Sequence, residues 1–506
     1  MTGHSVQQTS RLLSLADELL LGIIDHIDSR HALINLALTC SKFRNLAESF
    51  IWRDLLILTG KHAQCVAAAL DSREARILHV QDLSVRYKDP HKNGIEQLGH
   101  FIRYMDHLRS LTIESPCPNN TEWRSGVYFD SWTRIDYSRI LEDSVRPFPG
   151  SDPALPALQT LNLHGHGPEG RKFDLGQASF MFLSPTLRHI TLSCSNFHAD
   201  IDDLSSVTEK TKFTPLQSLV LIECNVNVNF LNFVLGLPRA LKELSIGERM
   251  HIFPDCRPPY ISEEFTADPI FLDALTQQAH SLERLVHVGG IYNTILPQKH
   301  LKNGSEKLRS MERLEHLQFD MDSSLKQYVT ADGWSDTVKT LKVMTSASRA
   351  ARFQLDHASC LKFCETVVKQ TSRTFDLEFV DLVRPFISIP QPDRKRMYKI
   401  ASACKSRGSH FRAYTETFLG GDSFIPPYMY GEELPVEVLR YDSEKFWYFD
   451  GEDYRVEDDE AFDEIANDPT RACDRCKSAG HGSCRHRGDG SPCVRCSKSE
   501  QACLYS

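Results

Sequence analysis

Residues 216–246 read LQSLVLIECNVNVNFLNFVLGLPRALKELSI, and one three-beat figure opens and closes the stretch: Leu216/Leu219/Leu221 and Leu241/Leu244/Ile246. The last two apolar residues of each figure lie two apart, the spacing of one face of a short half-buried strand, and the first enters from the preceding turn. Outward from this stretch the figure returns as Leu108/Leu111/Ile113, Leu158/Leu161/Leu163, Leu187/Ile190/Leu192, Leu314/Leu317/Phe319 and Val338/Leu341/Val343. SLERLVHV at 281–288 is a degenerate copy, and VQDLSV at 80–85 begins the series. Leucine is common, so a single copy means little, but seven in one region amount to a repeat.

This is the leucine-rich-repeat pattern, in which each unit lends one strand to a parallel sheet lining a curved solenoid; several copies stand about 25–30 residues apart, against the 20–29 of regular arrays. The wider gaps around 116–155 and 250–280 are rich in Pro, Asn, Asp and Gly and read as loop insertions, which makes the array irregular. Such a surface is extended and lacks a single deep pocket, so its natural task is to bind another protein. Gly165, Gly167 and Gly170 form G-x-G-x-x-G after a strand-like LNL, but Pro168 and Glu169 lead into Arg171-Lys172-Phe173-Asp174 without the apolar helix that a dinucleotide site needs. His357, Cys360 and Cys364 fall with Phe353, Leu361 and Val368 on one helical stripe, which reads as a buried face rather than a ligand set.

Ahead of the array, residues 15–52 read LADELLLGIIDHIDSRHALINLALTCSKFRNLAESFIW. Leu15, Leu19, Ile23 and Ile27 step by four along one helical face, with Asp17 and Glu18 at its positive end. Asp28 or Ser29 can cap a second helix, and Leu33, Leu36, Cys40, Phe43 and Leu46 make a further stripe. Helices this short are marginal alone and must bury their apolar faces on each other or on a partner. The order Leu15, Glu18, Leu19, Ile23, Leu33, Leu36, Cys40, Ser41, Lys42, Phe43 and Trp52 resembles the F-box family, with Ala16 where that family has Pro and Phe43 where Trp is usual. The resemblance implies three helices that dock a Skp-type adaptor, and through it a cullin. Leu15, Leu19, Ile23, Leu33 and Leu36 are the implied contacts, and Phe43 and Trp52 the packing residues.

The 506-residue chain is long enough for about three domains. Its net charge of -9 argues against a surface that tracks nucleic acid throughout. No signal peptide and no run of about 18 apolar residues is present, so a cytoplasmic or nuclear location with reduced thiols is expected and no membrane contact. Yet six of the 15 cysteines crowd the end as Cys473-x2-Cys476-x7-Cys484-x8-Cys493-x2-Cys496-x6-Cys503, in a segment almost without apolar residues. Hydrophobic burial cannot fold such a segment, whereas zinc bound by thiolates contributes about 10–16 kcal/mol in small modules. The run resembles the fungal binuclear zinc cluster, which implies two zinc ions bridged by Cys473 and Cys493. The basic run that contacts DNA in that family is reduced to Lys477 followed by Ser478, Ala479 and Gly480, and an acidic stretch precedes the module, so zinc is expected and DNA is not.

The expected fold class is α/β. The expected domains are an F-box at 12–57, an irregular leucine-rich-repeat array at 76–345, a helical or mixed extension at 346–440, an acidic linker at 441–470 and a zinc-cluster-like module at 471–506. The expected function is non-enzymatic: the substrate-recognition subunit of an SCF-type ubiquitin ligase, binding a protein substrate. The alternative is a zinc-cluster transcription regulator. No nucleophile elbow, H-E-x-x-H or phosphate-loop signature supports an enzyme.

Overall fold

The computed structural model describes residues 11–86, 94–114, 137–164, 173–193, 195–197, 211–222, 224, 226–247, 270–288, 298–321, 323–332, 334–344, 357–370, 379–385, 391–417, 436–443 and 447–448. They fall into two compact units, the first mainly Met1–Val226 and the second mainly Ala240–Pro427 with Glu433–Ser506.

The first unit opens with three helices, α1 (Asp17–Asp25), α2 (Arg30–Thr39) and α3 (Ser41–Arg53). Ala16 is extended at the start of α1, and Asp17 and Glu18 occupy its first turn, where carboxylates favour the exposed N–H groups. Ser29 caps α2, its hydroxyl accepting from Ala32 N–H at 3.3 Å. Lys42 ties α3 back to α1: its ammonium donates to the Leu13 and Leu15 carbonyls at 3.2 and 3.3 Å and pairs with Asp17 at 3.0 Å. Leu20, Ile24, Leu33, Ala37, Phe43 and Ala47 form the buried core of this bundle, with Leu13, Leu15, Ile27, Leu36, Cys40 and Leu46 packed against it.

No linker separates the bundle from the sheet, because α3 ends at Arg53 and β1 (Asp54–Ile57) begins at the next residue. Strands β2 (Asp82–Val85), β3 (Ser110–Glu114), β4 (Thr160–His164), β6 (His189–Ser193) and β8 (Ser218–Ile222) follow in parallel, while β5 (Phe173–Asp174) and β7 (Ser195–Asn196) make a short side ladder. The register stacks Leu55, Leu83, Leu111, Leu161, Ile190 and Leu219 in one row and Ile57, Val85, Ile113, Leu163, Leu192 and Leu221 in the next, all buried. Parallel neighbours need crossovers, and here α4 (Gly60–Ser72), α5 (Glu96–Ile102), α6 (Tyr137–Val145) and 3-10 turns supply them.

The second unit repeats the plan. Strands β9 (Glu243–Gly247), β10 (Arg284–Val288), β11 (His316–Asp320), β12 (Thr340–Met344), β13 (Phe379–Pro385) and β14 (His410–Thr417) are parallel; β15 (Val436–Asp442) and β16 (Trp447–Tyr448) return antiparallel at the end. Leu244, Leu285, Leu317, Leu341, Val380 and Phe411 share one buried row. In the neighbouring row His287 takes the place that Ile246, Phe319 and Val343 hold on other strands. Its helices are α7 (Val228–Gly236), α8 (Ile270–Thr276), α9 (Gln298–Arg309), α10 (Leu325–Asp332), α11 (His357–Gln370) and α12 (Gln391–Lys405).

A hydrogen-bond step recurs along the parallel strands: one carbonyl just before a strand accepts from two successive N–H groups of the next segment. Gln81 O receives Arg109 and Ser110, Arg109 O receives Gln159 and Thr160, and Gln159 O receives Arg188 and His189. Lys242, Glu283 and Glu315 do the same in the second unit. Parallel strands begin at β1, before residue 76, in the first unit, and in the second they reach β14, past residue 345, so the stretch expected to be a helical or mixed extension contributes two parallel strands. Cys360 and Cys364 are buried on α11, as a packing stripe requires. The Cys364 thiol is pushed up by its hydrogen bond with Cys360 and by burial, and burial takes Cys404 up to about 12, which makes these thiols inert.

At Gly304, in α9, an added Cβ would run into the Tyr328 ring and stand 2.7 Å from Leu272 Cδ1. Tyr328 is fully buried and has no room to yield. Gly304→Ala is therefore expected to destabilise this unit by about 1–2 kcal/mol, overpacking outweighing the helix-propensity gain of about 1 kcal/mol. Calorimetry checks it, and an unchanged or raised melting temperature would show that the ring gives way.

Candidate docking site

The three-helix bundle buries only one side of its first two helices. On α1 the inward pair is Leu20 and Ile24, both 1% exposed, which leaves Leu19 59% and Ile23 49% exposed on the opposite side. The four-residue step expected from Leu15 to Ile27 therefore does not form one face: Leu15 and Ile27 pack on the bundle core while Leu19 and Ile23 point away from it. An all-apolar LLLGII run cannot show which neighbours turn inward, because each face of such a helix satisfies the same period.

Helix α2 shows the same division. Leu33 is 6% exposed and packs in the bundle core, and Leu36 is partly buried against it. The outward positions are Ile34, 40% exposed, and Leu38, 71% exposed, with Leu12 also exposed before α1. Sequence reasoning passed over Ile34 and Leu38, although Ala37 was a signal: a small residue at Leu33 + 4 marks the side where helices meet closely. Phe43 is buried as expected, and Trp52 is half-buried beneath the Arg76 guanidinium, 5.1 Å from its ring centroid.

Charged groups frame the apolar residues. Arg53 pairs with Asp25 at 3.2 Å and Asp54 at 3.3 Å. Burial lowers the Arg30 guanidinium pKa and Asp54 acts in the opposite direction, while burial and then Arg30 lower His62. Burial and the neighbouring Asp54 carboxyl raise Asp82. Behind the bundle, the Glu48 carboxylate is 6% exposed and receives Arg73 and the Arg76 Nε, the latter at 2.7 Å. Arg76 also donates to the Ala69 carbonyl at 2.7 Å. These contacts hold α3 against the segment that leads into β2.

The six expected zinc ligands, Cys473, Cys476, Cys484, Cys493, Cys496 and Cys503, lie outside the described residues, as do Gly165, Gly167 and Gly170. Among the described residues no group of three or more His, Cys, Asp or Glu is placed to hold a metal, and no helix is long and apolar enough to cross a membrane.

Residues 12–54 match the F-box domain family, a span that coincides with the Leu12–Ser14 turn, the three helices and the first residue of β1. The chain thus carries an F-box domain, and domains of this family generally bind Skp1-type adaptors within SCF complexes. No curated protein matches the chain.

Proposed function

We propose that this chain is the substrate-recognition subunit of an SCF-type ubiquitin ligase, its F-box docking a Skp-type adaptor and through it a cullin. The observation that carries this reading is the outward placement of Leu19, Ile23, Ile34 and Leu38 on a bundle whose own core is complete without them. Four exposed large apolar side chains on two adjacent helices are the makings of a protein-binding patch. Leu15 and Leu36, partly buried, would support this patch from behind. The parallel ladder, with its repeated Leu-x-Leu rows, serves as an irregular leucine-rich-repeat array that holds a protein substrate. Catalysis then comes from raising the local concentration of a substrate lysine near the charged conjugating enzyme, with no reacting group in this chain.

Leu19→Asp with Ile23→Asp is expected to weaken binding of a purified Skp-type adaptor by more than about a hundredfold, since two buried leucine-class contacts and two new buried charges are at stake. Circular dichroism and the melting temperature should stay as in the wild type, because neither side chain belongs to the core. Adaptor binding that survives the double substitution would overturn the reading.

The donor set Cys473, Cys476, Cys484, Cys493, Cys496 and Cys503 has the soft thiolate chemistry that zinc prefers, and we assign it two ions. Elemental analysis of the purified chain should return two zinc ions, falling when Cys473→Ser is introduced; a metal-free wild type would refute the assignment. A gel shift with zinc-loaded protein separates this role from DNA binding, which would appear as a salt-sensitive complex.

A further inference from the structure

Helix α1 begins without a capping side chain, because Ala16 stands at its N-cap position. In front of it lies a single 3-10 turn, Leu12–Ser14, and then two extended residues, Leu15 at φ −68°, ψ 151° and Ala16 at φ −62°, ψ 149°. Leu13 and Leu15 pack on the bundle core, while Leu12 is exposed. Local bonds close the turn itself: the Leu15 N–H donates to the Leu12 carbonyl at 3.2 Å and the Ser14 hydroxyl to the Arg11 carbonyl at 2.7 Å. The long-range hold comes from α3. An ammonium has three donors, and that of Lys42 meets three acceptors of this segment: the Leu13 and Leu15 carbonyls at 3.2 and 3.3 Å and the Asp17 carboxylate at 3.0 Å. One side chain thus reaches from the turn, across the extended residues, to the first turn of the helix that carries Leu19 and Ile23.

We propose that Lys42 is a positioning residue for adaptor docking, holding residues 12–17 so that the turn and α1 meet the adaptor in one fixed arrangement. This rests on the docking reading given above. An uncapped entry through two extended residues would otherwise sample several directions, and only the fraction in the competent one binds. The exposed pair with Asp17 adds little strength. The two carbonyls set the direction, because one ammonium joined to both restrains the dihedrals between them. The backbone offers an independent way to impose the same restraint. Proline fixes φ near −65° and favours an extended residue before it, and Ala16 and Leu15 already have that geometry. Among the described residues the Ala16 N–H has no acceptor, so proline there removes no hydrogen bond. Ala16→Pro therefore stiffens the segment without Lys42.

The test uses the full chain and a purified Skp-type adaptor, titrated by calorimetry. Lys42→Met, which keeps the apolar stem and removes the donors, is expected to weaken binding about tenfold. Amide exchange should quicken over residues 12–17 while α2 keeps its protection. Adding Ala16→Pro to Lys42→Met should recover most of the loss, whereas Ala16→Pro alone should change affinity by less than about twofold, since Lys42 already restrains the segment. Lys42→Gln, one bond too short to reach both carbonyls, carries the same test should the methionine variant fail to fold. Unchanged affinity in a folded Lys42 variant would overturn the inference. So would a loss that Ala16→Pro leaves in place, which would give Lys42 a direct contact with the adaptor instead. Either result, with Leu19→Asp and Ile23→Asp still abolishing binding, leaves the docking reading standing. Adaptor binding that survives that pair removes the docking reading and this inference with it.

Discussion

Glu48→Ala is expected to lower the stability of the N-terminal unit by about 3 kcal/mol, as the removal of one partner from a buried ion cluster typically costs about 3–5 kcal/mol. The lower end applies here because Arg73 is half exposed and recovers water, while Arg76 keeps the Ala69 carbonyl and Ser72 hydroxyl as partners. What is lost is the carboxylate that joins α3 to the 3-10 turn at Glu74–His79 and so joins the F-box bundle to the second strand of the ladder. Glu48→Gln, which retains one acceptor and the shape, should lose about half as much. Glu48→Met with Arg76→Met should recover part of the loss, because apolar pairs of similar volume replace buried ion pairs at little net cost. Urea unfolding of the three variants checks the order. An alanine variant as stable as wild type would show that the cluster contributes packing alone.

Acid should destabilise the second unit well above the pH at which carboxylates protonate. Burial takes His287 down to about 3; burial, helped by Arg284, takes His316 down to about 4. In the unfolded chain both imidazoles protonate near pH 6.5, so between that value and their folded values the unfolded state binds more protons. Stability is therefore fully present above about pH 7 and falls as pH falls, by about 1.4 kcal/mol per unit for each fully buried histidine. By pH 5 the pair costs about 3 kcal/mol, His287 contributing its full share and His316 less because it is partly exposed. His287 is fully buried, within 2.6 Å of Ser323 Oγ and with its ring 4.8 Å from Phe271, so a positive charge there would be cut off from water. His287→Leu should remove that residue's part of the pH slope. At pH 7 it should change stability by about 1 kcal/mol, since leucine suits the row while the Ser323 hydroxyl loses a partner. Unfolding at pH 7 and pH 5 decides it: equal stabilities in the wild type, or an unchanged slope in the leucine variant, would contradict the account.

Much of this architecture was legible from residue order. The recurrence of Leu111/Ile113, Leu161/Leu163 and Leu219/Leu221 foretold parallel strands in register, because a two-residue period repeated at similar intervals can stack only one way without exposing its leucines. Asp28 and Ser29 together announced a helix cap, which the structure gives to Ser29, and the extent of the three-helix bundle was readable to within a few residues. The parallel strands β13 and β14 were not readable: Val380 and Phe411 are spaced like many apolar pairs, and only the pairing of Val380 with Leu341 and of Phe411 with Val380 identifies them.

Sequence alone thus determined which residues are apolar, at what period they recur, and that the first helices are too short to stand unaided. Tertiary structure alone decided which of those apolar residues remain outside. Leu19 and Leu20, or Leu33 and Ile34, are interchangeable to any hydrophobic scale; the approach of α3, with Phe43 and Ala47, buries Leu20 and Leu33 and turns Leu19 and Ile34 to solvent. A helix can present any of its faces until a neighbour packs against one, and that choice is made by contacts distant in the chain.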